Sequence, residues 1–230
     1  DPDDPAVATA EAAHLLQAVR VGGPVRDRLL AVLGSSTALA DHLVRHPEHW
    51  TVLTHDEPLS ATALRRELLE AVGADPESDR PTARTGGRAA HDLLRVGYRR
   101  RLLALAANDL ATPDPTSRVG EVARELADLA AAALEAGLAI ARAELPDHAS
   151  ACRLAVVGMG KCGGRELNYV SDVDVVFVAE PVAGGEEGNA LRSADHLATS
   201  MMRACSAATS EGSLWPVDAN LRPEGKDGPL

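Results

Sequence analysis

The apolar residues of this chain change period once, near Cys152, and that change restricts the fold more than any other feature. Upstream, hydrophobic positions recur at helical spacing in segments closed by glycine or proline. The spacing predicts a helix over Ala6–Val21, stopped at Gly22-Gly23-Pro24, and a second ending near Gly34. Ser35-Ser36 suits the cap of a third, which runs to His46 and stops at Pro47. Ser60 suits the cap of a fourth, through Leu64, Leu68 and Val72 to Gly73. Residues 74–87 are rich in turn formers and read as a loop. Two long helices follow, from Arg88 to Leu110 and from Pro115 to Leu145. In the second, Val119, Val122, Leu126, Leu129, Ala133, Ala136 and Ile140 alternate steps of three and four, a heptad seam for antiparallel packing. Pro146, Asp147, His148 and Ser150 read as an exposed linker.

Beyond Cys152 the runs are short and β-like. Arg153–Gly158 reads as a strand, Gly163–Asn168 as a short helix and Val173–Ala179 as a second strand. Asn189–Ser210 reads as a helix and Leu214–Ala219 as a third strand. The expected class is therefore α+β: a helical region over 1–148, then a domain over 149–230 with a small mixed sheet. The third strand lies so near Leu230 that this domain is expected to continue beyond it.

Composition narrows the chemistry. Hydrophobic residues make up 45% and aromatics only 2%, so the core must be close-packed Leu, Val and Ala. A net charge of -11 repels a phosphate backbone, which argues against nucleic acid as partner while leaving a nucleotide open. No apolar run approaches the roughly 18 residues of a membrane span. The acidic start, Asp1-Pro2-Asp3-Asp4, is the reverse of a signal peptide, and the missing Met suggests an excised piece. Cys152, Cys162 and Cys205 lack metal-ligand spacing and read as reduced thiols of a cytoplasmic protein.

Three acidic residues carry the chemistry. Asp172 and Asp174 open the second predicted strand, where residues two apart lie about 6.5–7 Å apart on one face. Two carboxylates on one face repel unless a cation lies between them, and hard oxygen donors suit Mg²⁺ or Mn²⁺. Asp218 lies in the third predicted strand and joins them if that strand pairs beside the second. Such a triad would hold one or two metal ions against a phosphate. Upstream, Gly158-Met159-Gly160-Lys161-Cys162-Gly163-Gly164 would bring backbone N–H groups and the Lys161 charge to a phosphate. Downstream, Arg222 and Lys226 would offset phosphate charge, Arg222 by a bidentate contact.

Gly160-Lys161, ten residues, Asp172-Val173-Asp174 and a distant Asp218 resemble the nucleotidyltransferase (polymerase-beta-like) superfamily pattern, with Gly160-Lys161 where Gly-Ser is usual. The strings GMGKCGGRELNYVSDVDVVFV and LWPVDANLRPEGKDGPL are more specific. They resemble the glutamine-synthetase adenylyltransferase/adenylyl-removing family, which carries two such domains in one long chain. The stretch YRRRLLALAANDL is similar to the segment that precedes these domains, and the likeness covers roughly residues 40–230. WPVDANLRPEG resembles the N-terminal, adenylyl-removing copy. The resemblance implies phosphorolysis of adenylyl-tyrosine on glutamine synthetase, releasing ADP, with Mg²⁺ at Asp172, Asp174 and Asp218. It also implies nucleotide and phosphate as ligands and glutamine synthetase and a PII-type signal protein as partners.

Other readings compete for the same residues. Adenylylation from ATP on the same site is the alternative direction, and a non-catalytic regulatory module is another. Gly158-x-Gly160-x-x-Gly163 with Glu180 is a literal dinucleotide fingerprint. The helix after it would be too short, however, and the next strand opens on two Asp. Ser171 shapes the turn before the carboxylates, and Asn168 either braces the loop or touches ligand; both count with Gly160, Lys161, Gly163, Gly164 and Arg222 on the substrate side. Arg99-Arg100-Arg101 reads as a solvated helix face, and His42 and His46 as surface histidines in place of a zinc pair.

Overall fold

A computed structural model describes residues 5–220, with side chains from residue 13 onward. Its first helices are α1 (Pro5–Val21), α2 (Pro24–Ser35) and α3 (Thr37–Arg45). A 3₁₀ helix over Pro47–Thr54 comes next, then α4 (Ala61–Ala71), α5 (Gly87–Leu110), α6 (Pro115–Glu144) and α7 (Pro146–Ala151). The rest is β1 (Cys152–Gly158), α8 (Gly160–Gly163), β2 (Val173–Pro181), α9 (Glu187–Ser206) and β3 (Val217–Asp218). The fold is α+β with a three-stranded mixed sheet, as expected.

The chain forms two compact units. One comprises Asp1–Pro58 and Arg99–Val122. Its core is Leu29, Val32, Leu39, Val52 and Leu53 with Leu103, Ala106 and Ala107 of α5. Ser36 caps α3 as expected, its hydroxyl accepting the Leu39 N–H at 3.3 Å. The 3₁₀ helix has no counterpart in the sequence-based expectation. Pro47 stops α3 but its fixed φ also starts a helical turn, and Val52 and Leu53 then bury.

The other unit comprises Leu59–Tyr98 and Ala123–Leu230. Ser60 caps α4, accepting the Ala63 N–H at 3.2 Å, and Leu64, Leu68 and Leu69 are buried. The heptad positions of α6 from Val122 to Ile140 are buried, but Val119 is 63% exposed. Ala127, Ala130, Ala132, Leu134, Leu138, Ala139 and Ala141 are buried as well. The C-terminal half of α6 is thus enclosed nearly all round rather than along one seam, which small alanines permit. Gly137 marks a close crossing, since a Cβ there would lie 3.2 Å from Cys205 Sγ of α9.

The expected linker at 146–151 is instead α7, because Pro146 ends α6 and then sits in the first turn of a new helix. β1 and β2 pair antiparallel from Cys152↔Pro181 to Gly158↔Val175. β2 and β3 pair parallel through Val173↔Val217 and Asp174↔Asp218. Only two residues of the expected third strand join the ladder, and α9 ends at Ser206, short of Ser210. The short helix predicted over Gly163–Asn168 lies earlier, as the single turn α8.

Candidate active site

The glycine loop folds directly onto β2. The Met159 N–H donates to Asp174 O at 2.8 Å, which extends the β1–β2 pairing past Gly158. Gly160 then takes φ +51°, and a Cβ there would lie 2.2 Å from Asp174 Oδ2. A Cβ at Gly163 would lie 2.3 Å from Gly158 O. Both positions therefore require glycine, one for the carboxylate and one for the turn. The N–H groups of Gly163 and Gly164 donate to Met159 O and Gly160 O at 2.8 and 2.9 Å. Those two donors serve the loop itself. Lys161 is exposed, and Cys162 is buried beside it. Burial, then the Asp174 and Asp128 charges, raises the Cys162 pKa, so it stays a thiol.

Residues 164–172 lead from the loop to β2. Arg165 takes φ +57° and pairs with Asp128 of α6. Leu167 is buried and anchors the segment, while Asn168 and Tyr169 are exposed. The Ser171 hydroxyl donates to Asp172 Oδ1 at 3.4 Å.

The register Asp174↔Asp218 brings the third carboxylate beside the first two. Carboxylate oxygens of Asp172, Asp174 and Asp218 lie within 4.8 Å of one another. Asp172 is exposed and the other two are half-buried. Asp218 Oδ1 accepts the Asn220 N–H at 2.8 Å, and the Val173 N–H donates to Pro216 O at 3.0 Å. The first holds the Asp218 carboxylate against its own segment, and the second fixes that segment against β2. Each pair of these charges repels by about 1 kcal/mol in bulk water and about 3.5 kcal/mol at an effective dielectric of 20. The donor chemistry fits Mg²⁺, whose opposite ligands stand about 4.2 Å apart. Arg222 and Lys226 lie outside the described residues.

Four residues given no role by the sequence, Arg95, Tyr98, Trp215 and Glu144, hold the Asp218 segment and its surroundings. Arg95 on α5 is fully buried. Its guanidinium donates to Gly212 O and His91 O, each at 2.7 Å, to Cys205 O at 3.4 Å and to Ala207 O. It thereby ties the end of α9, and the chain leading to β3, to one side chain. Trp215 Nε1 donates to the buried Tyr98 hydroxyl at 3.1 Å. A sequence signal for this exists: Ala90, His91, Leu94, Arg95 and Tyr98 share one helical face, and a charged residue there needs buried acceptors. Glu144, at the end of α6, braces the same unit by accepting from Ser200 Oγ, Arg203 and the Gly87 N–H. Burial acts to raise its pKa, but these hydrogen bonds outweigh it and hold the carboxyl low.

The profile of a family described as glutamate-ammonia ligase adenylyltransferase matches residues 26–230. Proteins named bifunctional glutamine synthetase adenylyltransferase/adenylyl-removing enzyme are similar over most of the chain. One from Streptomyces avermitilis is 53% identical over 221 residues, covering 94% of this chain and 20% of the relative. One from Cutibacterium acnes is 47% identical over 205 residues, covering 88% of this chain and 21% of the relative. One from Mycolicibacterium smegmatis is 45% identical over 210 residues, covering 90% and 20%. The chain thus spans about a fifth of the length of the curated relatives it matches.

Proposed function

The chain belongs to the glutamate-ammonia ligase adenylyltransferase family, and on that footing we propose that it is a nucleotidyltransferase-type domain that removes AMP from an adenylyl-tyrosine of glutamine synthetase. In the reaction, an oxygen of inorganic phosphate bonds to the AMP phosphorus. The bond from that phosphorus to the tyrosine oxygen breaks, giving ADP and a free tyrosine side chain. A tyrosine hydroxyl has an unperturbed pKa of about 10, so the phenolate is a fair leaving group and needs little acid assistance.

The observation that carries this reading is the β2–β3 register, which sets Asp218 against Asp174 with Asp172 alongside. These three residues would hold Mg²⁺, or Mn²⁺, and the ion would supply positive charge at the phosphates and at the departing phenolate oxygen. The chain's own part is orientation. Ser171 holds Asp172, the Asn220 N–H holds Asp218, and Gly160 leaves the space that the Asp174 carboxylate occupies. Lys161, exposed on the glycine loop, is the cation assigned to the reacting phosphates, and the exposed Asn168 is assigned to the ligand's approach. Arg222 is assigned to phosphate from the sequence alone.

The direction of reaction rests on the likeness of WPVDANLRPEG to the adenylyl-removing copy in this family. A PII-type signal protein is the proposed regulator on the same footing. Adenylylation from ATP would use the same carboxylates with pyrophosphate leaving, so product identity separates the two. Incubating adenylylated glutamine synthetase with phosphate and Mg²⁺ should release ADP in a reaction that Asp174→Asn abolishes. Pyrophosphate formed from ATP in place of ADP would overturn the assignment.

A further inference from the structure

On the reaction proposed above, we infer that Arg165 is a positioning residue of the carboxylate site, where its ion pair with Asp128 of α6 clamps the glycine loop and the chain that runs on to Asp172. Its part is to hold Lys161 and Asp172 in place rather than to touch the phosphates.

The backbone marks the residue first. α8 ends in two nested hydrogen bonds, the Glu166 N–H donating to Lys161 O at 2.8 Å and the Arg165 N–H to Cys162 O at 3.1 Å. A helix that ends this way needs a left-handed residue, most often glycine, at the position that Arg165 occupies. Arg165 has φ +57° and is the one non-glycine residue with positive φ among the described residues. Gly163 and Gly164 stand immediately before it, yet Gly164 keeps φ -74° and the left-handed place falls to the arginine. Glycine would adopt that conformation without strain, whereas a side chain there is strained. What the arginine adds in return is the contact its side chain makes.

That contact crosses a gap. Arg165 Nη2 donates to Asp128 Oδ2 at 2.5 Å, from a half-exposed arginine to a half-buried carboxylate on α6. Between α6 and the loop lies a groove of about 480 Å³, lined in part by Asp128, Leu134, Leu138, Val156, Cys162 and Arg165. The loop is therefore not packed flush against α6 there, and the ion pair spans the opening. Cys162, in the same turn, lies close enough to both Asp174 and Asp128 that, after burial, their charges raise its pKa. The loop thus stands near a carboxylate of the reaction site and near one of α6, and Arg165 pairs with the second.

The consequence is local. A half-exposed ion pair contributes little to global stability. Its place in the chain gives it leverage over the site instead. Upstream of Arg165 the turn carries Lys161 and sets Gly160 against the Asp174 carboxylate. Downstream, residues 166–171 lead to Asp172, with Leu167 buried as the other anchor of that segment. Fixing Arg165 therefore fixes both approaches to the carboxylates at their junction.

Asp128→Asn tests the clamp, because it releases Arg165 without altering the loop. In the 230-residue chain, amide exchange at Gly163, Gly164, Arg165 and Glu166, whose N–H groups close the turn, should quicken about tenfold. In a chain of the relatives' length with only this carboxylate site intact, Asp128→Asn and Arg165→Gly should each lose about tenfold in kcat/KM for phosphorolysis. Both should keep a thermal midpoint within about 2 °C of wild type, since the pair is half-exposed and glycine takes the left-handed turn freely. A core defect would lower the midpoint with the rate. Arg165→Lys can still make the single N–O contact and should stay within about threefold of wild type. Because the two residues act through one pair, the double variant Asp128→Asn, Arg165→Gly should be no worse than either single one. Unchanged exchange in Asp128→Asn, losses that multiply in the double variant, or an Arg165→Lys as defective as Arg165→Gly would overturn the clamp. Absence of ADP from the wild-type chain would instead refute the reaction, and the exchange rates would still decide the clamp.

Discussion

Replacing Gly160 with alanine should disable the carboxylate site by moving one side chain. The added Cβ would lie 2.2 Å from Asp174 Oδ2, whereas ordinary contact begins at 3.4 Å, so the carboxylate must retreat by about 1.2 Å. Backbone relief is costly because Gly160, the first residue of α8, sits at φ +51°, and the Met159 N–H before it is bonded to Asp174 O. The left-handed conformation itself costs an alanine about 1–2 kcal/mol. Gly184→Ala separates the two effects, since Gly184 has φ +81° and nothing within 4 Å of where its methyl group would stand. Both variants should lose a similar few degrees of thermal midpoint, about 2–8 °C. Only Gly160→Ala should lose the Mg²⁺-induced rise in that midpoint. It should also lose about 10²-fold in phosphorolysis when assayed in a chain of the relatives' length, as expected for a catalytic group displaced by about 1 Å. If Gly160→Ala keeps its Mg²⁺ response and stays within about threefold of Gly184→Ala in rate, the contact with Asp174 has no bearing on the site.

Asp172→Asn and Asp174→Asn should each abolish turnover without lowering apo stability, because each removes one of three mutually repelling charges; calorimetry with and without Mg²⁺ checks this, and a wild-type metal response in both would refute it. Tyr98→Phe should cost about 1–3 kcal/mol in urea unfolding by stranding the buried Trp215 N–H, and Arg95→Met about 3 kcal/mol or more by stranding several carbonyls. Both should also weaken Mg²⁺ binding at Asp218, and an unaltered metal titration would show that they hold only the core. Stability should fall as pH drops below about 6.5, because burial lowers the pKa of His42 and His49 and also of His91, where Arg95 and Arg203 add to it against Glu144. The unfolded state then binds the extra proton first, so His91's contribution is complete above its unfolded pKa and is lost toward its folded one. His91→Gln should flatten the midpoint-versus-pH curve in that window, and an equally steep curve would place the effect elsewhere.

Local chemistry makes much of this fold legible. Ser36 and Ser60 are readable as caps because capping depends on a few consecutive residues. The shared face of Asp172 and Asp174 follows from strand period alone. The position of Asp218 does not, since a parallel pairing across α9 is a long-range event. The breadth of burial around α6 is hidden as well, because alanine is compatible with both an exposed and an enclosed helix face. Pro146 reads as a stop and is also a start. Arg95 looks like one more arginine before Arg99-Arg100-Arg101, although its place beside Leu94 and Tyr98 on a buried face distinguishes it. The full burial of His42, expected at the surface from sequence, is hidden for a related reason: its contact with His49 exists only because Pro47 turns the chain.

The most direct test of the proposed function follows the phosphorus atom. Glutamine synthetase carrying labelled AMP on tyrosine is mixed with inorganic phosphate, Mg²⁺ and a chain of the relatives' length in which only this carboxylate site is intact. Labelled ADP should form in proportion to tyrosine release and should be absent in Asp174→Asn. Labelling of unmodified glutamine synthetase from ATP, dependent on Asp172 and accompanied by pyrophosphate but no ADP from the modified enzyme, would contradict it.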